Sequence, residues 1–129
     1  MTEEPLRILG TCSTIDATGS HLNGFINEFI GSFVLFFSAL GITKAPFFQN
    51  NLGTVHLALG FLVGTLVASL GGPTGPALNP ARDLGPRIVH ALFPLKNKGD
   101  SQWAYAWIPV AAPMLAGVTA VGLYKLVFM

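Results

Sequence analysis

The sequence predicts an all-α membrane protein, with three spanning helices and one shorter helix that enters the bilayer without crossing it. Three observations carry this. Hydrophobic residues make up 51% of the chain and charged residues only 10%, against roughly 25% charged in soluble domains. Three apolar runs approach the ~20 residues that a hydrocarbon core requires. Between the second and third lies Gly71-Gly72-Pro73-Thr74-Gly75-Pro76, rich in helix and strand breakers, and a helix start follows it. Chain that irregular survives at membrane depth only where protein buries it or where it lines a water-filled cavity.

Taken in order, residues 1–20 are polar and read as a loop segment. Its opening, Met1 to Arg7, carries Glu3 and Glu4 where a secretory signal would be basic. The first span covers about 22–42. Glu28 lies inside it, and an ionised residue at the bilayer centre costs about 2.5–3.5 kcal/mol on insertion scales. It is therefore expected to face the bundle interior and to accept hydrogen bonds from backbone N–H groups of the Gly/Pro-rich loop, as scaffold. A short connection with Phe47 and Phe48 leads to the second span, about 52–70, where Gly60, Gly64 and Ala68 form a small-residue stripe. His56, near its start, reads as a polar residue at a helix end.

The fourth element begins at Asn79, whose side-chain oxygen can cap a helix. Pro80 suits the first helical position, and Asp83 places negative charge in the first turn, where it is expected to complement the helix dipole and, with Glu28, to shape the loop as scaffold. Pro94 stops the helix, so it covers about 80–92, or ~20 Å, which is too short to span. Trp103, Tyr105 and Trp107 read as an interfacial group opening the last span, about 104–124, along which Ala112, Ala116 and Ala120 repeat the small-residue spacing.

Several function classes fall away. A net charge of +1 with scattered basic residues gives no footprint for nucleic acid. Cys12 is the sole cysteine, so no disulfide can form within the chain. His21, His56, His90 and Cys12 show no metal-ligand spacing, and no nucleophile stands beside a plausible base. Neither an enzyme nor a cofactor site is expected.

One stretch is more specific. Asn79-Pro80-Ala81-Arg82-Asp83, preceded by Thr74-Gly75 and followed by Gly85-Pro86, resembles the second Asn-Pro-Ala box of the aquaporin superfamily. Asp83 directly after Arg82 resembles the glycerol-facilitator (aquaglyceroporin) branch. Glu28-Phe29-Ile30-Gly31-Ser32-Phe33 is similar to the family helix that carries a buried glutamate. The match covers the C-terminal half of such a protein, and it implies that residues 21–129 form one inverted repeat of an aquaporin-like fold in the cell membrane.

The resemblance implies a passive channel for glycerol, water and other small uncharged solutes. The carbonyls of Gly75, Pro76 and Ala77 would form a ladder of acceptors. Asn79 would offer its amide, and Arg82 up to five donors and a fixed positive charge that opposes cations and protons. Ala81 would pack on an opposing half-helix. Val67 and Pro76 line up with the family's constriction; water-selective members usually carry histidine at the first position, and many glycerol facilitators carry glycine and phenylalanine. The pattern here implies a permissive pore.

The partners implied are the bilayer, the solutes and a complementary first half or an antiparallel second copy; intact members are tetramers. The alternative is a truncated, non-transporting fragment or a partner of intact channels. The resemblance places 43–51 and the C-terminus in the cytoplasm, although Lys44 and Lys125 there are outnumbered by Arg7, Lys96 and Lys98 on the other side.

Overall fold

A computed structural model describes residues 3–94 and 96–129; Met1 and Thr2 of the polar N-terminal segment lie outside the described residues. Six helices follow in order: α1 (Glu3–Cys12), α2 (His21–Lys44), α3 (Pro46–Gln49), α4 (Leu52–Thr74), α5 (Pro80–Leu92) and α6 (Ile108–Phe128), with no strand among the described residues. The 24, 23 and 21 residues of α2, α4 and α6 are long and apolar enough to cross a membrane. The 13 residues of α5 reach only ~20 Å.

Helix α2 is the central element, packed on α6 along most of its length and on α4. Ser20 caps its start by accepting from the Asn23 N–H. The contact with α6 is close because Ala112, Ala116 and Ala120 are fully buried. Along α2, Phe25, Phe29, Phe33 and Phe37 recur every fourth residue, so they share one face. Their rings stack at 5.8 to 6.4 Å and the ladder closes on Trp107 at one end and Tyr124 at the other. Phe61, Val118 and Leu126 point outward, which suits a surface that lipid covers.

Three elements differ from what the sequence predicts. The N-terminal segment read as loop contains a helix, α1. Its Leu9 is fully buried, and α1 packs on α5, so tertiary burial organises a stretch whose polar composition hid its apolar stripe. Helix α4 runs on to Thr74, through the Gly71-Gly72-Pro73 stretch read as irregular. Asn27 on α2 steadies this last turn by donating to the Leu70 carbonyl and to Thr74 Oγ1. Gly75 then ends the helix in the left-handed conformation, φ +61°, with its N–H on the Gly71 carbonyl. The last span starts at Ile108 rather than about 104, because residues 103–107 form turns. Tyr105, expected at the membrane interface with Trp103 and Trp107, is instead buried, while the two tryptophans remain about half exposed.

Candidate functional site

The site is the join between α4 and α5. Five residues, Gly75 to Asn79, carry the chain from the end of one helix to the cap of the next. With so little chain, few of its polar groups can pair within the loop. Glu28, fully buried on α2, takes up the N–H groups: Ala77 N donates to both carboxylate oxygens at 2.9 and 3.1 Å, and Leu78 N to Oε2 at 3.0 Å. Thr74 Oγ1 donates to the same carboxylate at 3.0 Å. Leu78 sits at φ 53°, a conformation costly for a residue with a Cβ, and the Glu28 bond to its N–H holds it there. The carbonyls of Gly75, Pro76 and Ala77 receive no protein hydrogen bond among the described residues.

Beside this loop lies a half-open hollow of about 480 Å³. Its walls include Val67, Pro76, Ala77, Asn79, Pro80 and Arg82 of the residues singled out from the sequence, together with Leu35, Phe36, Val63 and Leu78. Gly75 stands at the α4 terminus and Ala81 is exposed at the start of α5, outside the walls. Asn79 Oδ1 caps α5 by accepting from the Ala81 N–H at 2.9 Å, and its amide nitrogen has no acceptor among the described residues. Arg82 is exposed in the wall with no ion-pair partner among the described residues. Its charge and the α5 N-terminus add positive potential on one side of the hollow.

Asp83, expected as loop scaffold, bonds to Arg87 on its own helix and to Thr14 of the N-terminal segment. It does more than complement the helix dipole and does not pair with the adjacent Arg82. It is fully buried and holds Arg87, one turn on: Arg87 Nε donates to Oδ2 and NH2 to Oδ1, both at 2.8 Å. The remaining guanidinium donors go to the carbonyls of Ser101 (2.6 Å), Gln102 (3.3 Å) and Thr14 (2.7 Å). Thr14 in turn gives its N–H (2.8 Å) and its hydroxyl to Asp83 Oδ1. Ile15 N donates to the Thr74 carbonyl at 2.9 Å. Thus the N-terminal segment and the 101–102 turn are both stitched to the outer part of α5.

Arg87 and Thr14 were missed by the sequence reading. The available signal was the i,i+4 spacing of Asp83 and Arg87. The Arg87 guanidinium also lies 5.9 Å from the centre of the Tyr105 ring. Burial, followed by the carboxylates of Glu28, Asp16 and Asp83, pushes the Tyr105 phenol above its ordinary value, so it stays neutral.

The far end of α5 is closed by one side chain. Lys98 Nζ donates to the carbonyls of His90 (2.9 Å), Ala91 (2.7 Å) and Phe93 (2.7 Å), which the helix end leaves without internal partners. Replacing Lys98 by Met strips all three of their donor while keeping the alkyl stem. The expected loss is about 2 kcal/mol, the scale of a hydrogen bond to a charged group. Thermal unfolding followed by circular dichroism checks it, and an unchanged midpoint would contradict the cap.

Residues 1–124 match the family model described as Major intrinsic protein. The chain belongs to that family. It is similar to "Glycerol uptake facilitator protein-like 5" of Lactiplantibacillus plantarum, 52% identical over 121 residues that cover 94% of this chain and 48% of the relative. "Glycerol facilitator-aquaporin gla" of Lactococcus lactis subsp. lactis is 42% identical, with 99% of this chain and 61% of the relative covered. "Glycerol uptake facilitator protein" of Streptococcus pneumoniae serotype 4 is 47% identical, covering 92% and 50%. The chain thus spans about half the length of the curated relatives it matches. With its three apolar helices, this family member is a multi-pass protein of the cell membrane with an aquaporin-like half repeat, in a family of channels.

Proposed function

We propose that this chain supplies one wall of a passive channel for glycerol, water and other small uncharged solutes, closed by a complementary half. The observation that carries the reading is the hollow beside the Glu28-tethered loop. Free acceptors (the carbonyls of Gly75, Pro76 and Ala77) and free donors (the Asn79 amide and the Arg82 guanidinium) stand there against the apolar side chains of Val63, Val67 and Pro76. A hydroxyl compound exchanges part of its hydration for those groups while its carbon skeleton rides on the apolar wall. Cations meet the fixed charge of Arg82 and the α5 N-terminus and are repelled. Nothing in this account requires covalent chemistry, so no step is catalytic. Val67 and Pro76 bring no aromatic ring of their own to the wall, whose aromatic side chain is Phe36 on α2, and the selectivity proposed is broad.

Swelling of proteoliposomes in a glycerol gradient tests the reading. Vesicles holding the chain should take up glycerol faster than empty vesicles, and Arg82→Ala should change the glycerol rate by several-fold and admit more cation leak. Uptake equal to that of empty vesicles would show that the chain alone makes no path and that a separate first half is required to close it.

A further inference from the structure

The Val63 and Val67 wall of the hollow belongs to one stripe of α4, and that stripe does not end at Val63. At 100° per residue, His56 lies within about 20° of both Val63 and Val67 around the helix axis, and Gly60 within about 60° of them. His56 is eleven residues before Val67, so it stands ~16 Å further along the same line, toward the mouth opposite Arg82. The α4 face packed on α2 is elsewhere, marked by the buried Val55 and Leu66. Gly60, one turn on, leaves open space beside the histidine: a Cβ placed there would meet nothing within 4 Å beyond the helix's own backbone.

The tautomer of the ring follows from its one bond. His56 Nδ1 lies 2.7 Å from the Leu52 carbonyl oxygen. A carbonyl only accepts, so Nδ1 carries the proton and donates it. In the neutral ring Nε2 is then a bare acceptor. The ring is exposed. It is the polar side chain of a stripe that otherwise carries Gly60, Val63 and Val67.

We propose that His56 is a polar contact of the solute path at the mouth opposite Arg82, accepting a hydroxyl of a small uncharged solute on Nε2. This rests on the channel reading above and adds a residue to it. An acceptor there complements the donors of Arg82 and Asn79 at the other end of the wall. A polyol leaving one set of partners meets another before it regains full hydration.

Labelling at two neighbouring positions tests the placement without requiring flux. In a Cys12→Ser chain, cysteine is introduced either by His56→Cys or by Leu57→Cys, which has the same depth but lies 100° round the helix. Reconstituted vesicles are treated with a membrane-impermeant thiol reagent, with and without molar glycerol. Labelling at 56 is expected to be at least ten-fold faster than at 57 and to slow several-fold in glycerol. Equal rates at the two positions, or no effect of glycerol at 56, would overturn the proposal. Selective labelling in vesicles that do not swell would retain the placement of His56 while showing that this chain alone makes no path.

Discussion

Arg87→Leu is expected to destabilise the folded chain by about 3 to 5 kcal/mol, because it leaves the Asp83 carboxylate buried with no cation to balance it. Asp83 and Arg87 are both completely buried, and the guanidinium spends each of its five N–H groups on a named acceptor. Leucine would therefore leave the Ser101 carbonyl without its donor, and would leave the carboxylate with only the N–H and hydroxyl of Thr14. The neighbouring Arg82 provides the control: it is exposed, and Arg82→Leu should cost no more than about 0.5 kcal/mol. Unfolding of the detergent-solubilised chain, followed by circular dichroism, separates the two.

The double substitution Asp83→Leu with Arg87→Leu should cost less than the sum of the single ones, since no lone charge remains inside. If Arg87→Leu proves no worse than Arg82→Leu, the pair does not hold α5 to the N-terminal segment and the 101–102 turn.

How legible this was in the sequence depended on the range of the forces involved. The α5 boundaries follow from local chemistry, since Asn79 caps through its own side chain and Pro80 needs no donor. Glu28 could be singled out because ionised groups are rare at membrane depth, and the breaker-rich loop named the donors it would meet. Partner choice over long range was not legible. Thr14 meets Asp83 across 69 residues of chain, and a threonine in a polar segment carries no mark of that contact. Helix α1 was hidden for the same reason, as Leu9 earns its burial from α5 rather than from its neighbours. The extension of α4 through Pro73 also depends on a distant donor, Asn27. Breaker residues predicted where regular structure weakens, but tertiary hydrogen bonds moved the end by about one turn.

Glu28→Leu is the second change of large expected effect, and it acts on the site itself. The carboxylate is the sole acceptor for the buried N–H groups of Ala77 and Leu78 among the described residues, and it also accepts from Thr74. Each buried donor left without a partner costs about 1 to 3 kcal/mol, so the two amides alone set a loss of about 2 to 6 kcal/mol. The strain adds to this, because Leu78 at φ 53° keeps that conformation against its own preference. Freed from Glu28, the loop can relax by rotating Leu78, and Asn79 and the start of α5 move with it.

Glu28→Gln is the sharper probe, since the amide keeps the volume but turns an NH2 toward groups that are donors themselves. Both variants should speed hydrogen exchange at Ala77 and Leu78 by at least ten-fold, while amides in the middle of α6 keep their protection. Glu28→Gln should also depress glycerol uptake wherever the parent vesicles show it. Protection at Ala77 and Leu78 that survives Glu28→Leu would mean that the loop holds its shape without the carboxylate. The scaffold role would then have to pass to the packing of Leu78 against Gly31, where even a Cβ would come within 2.8 Å of the leucine side chain.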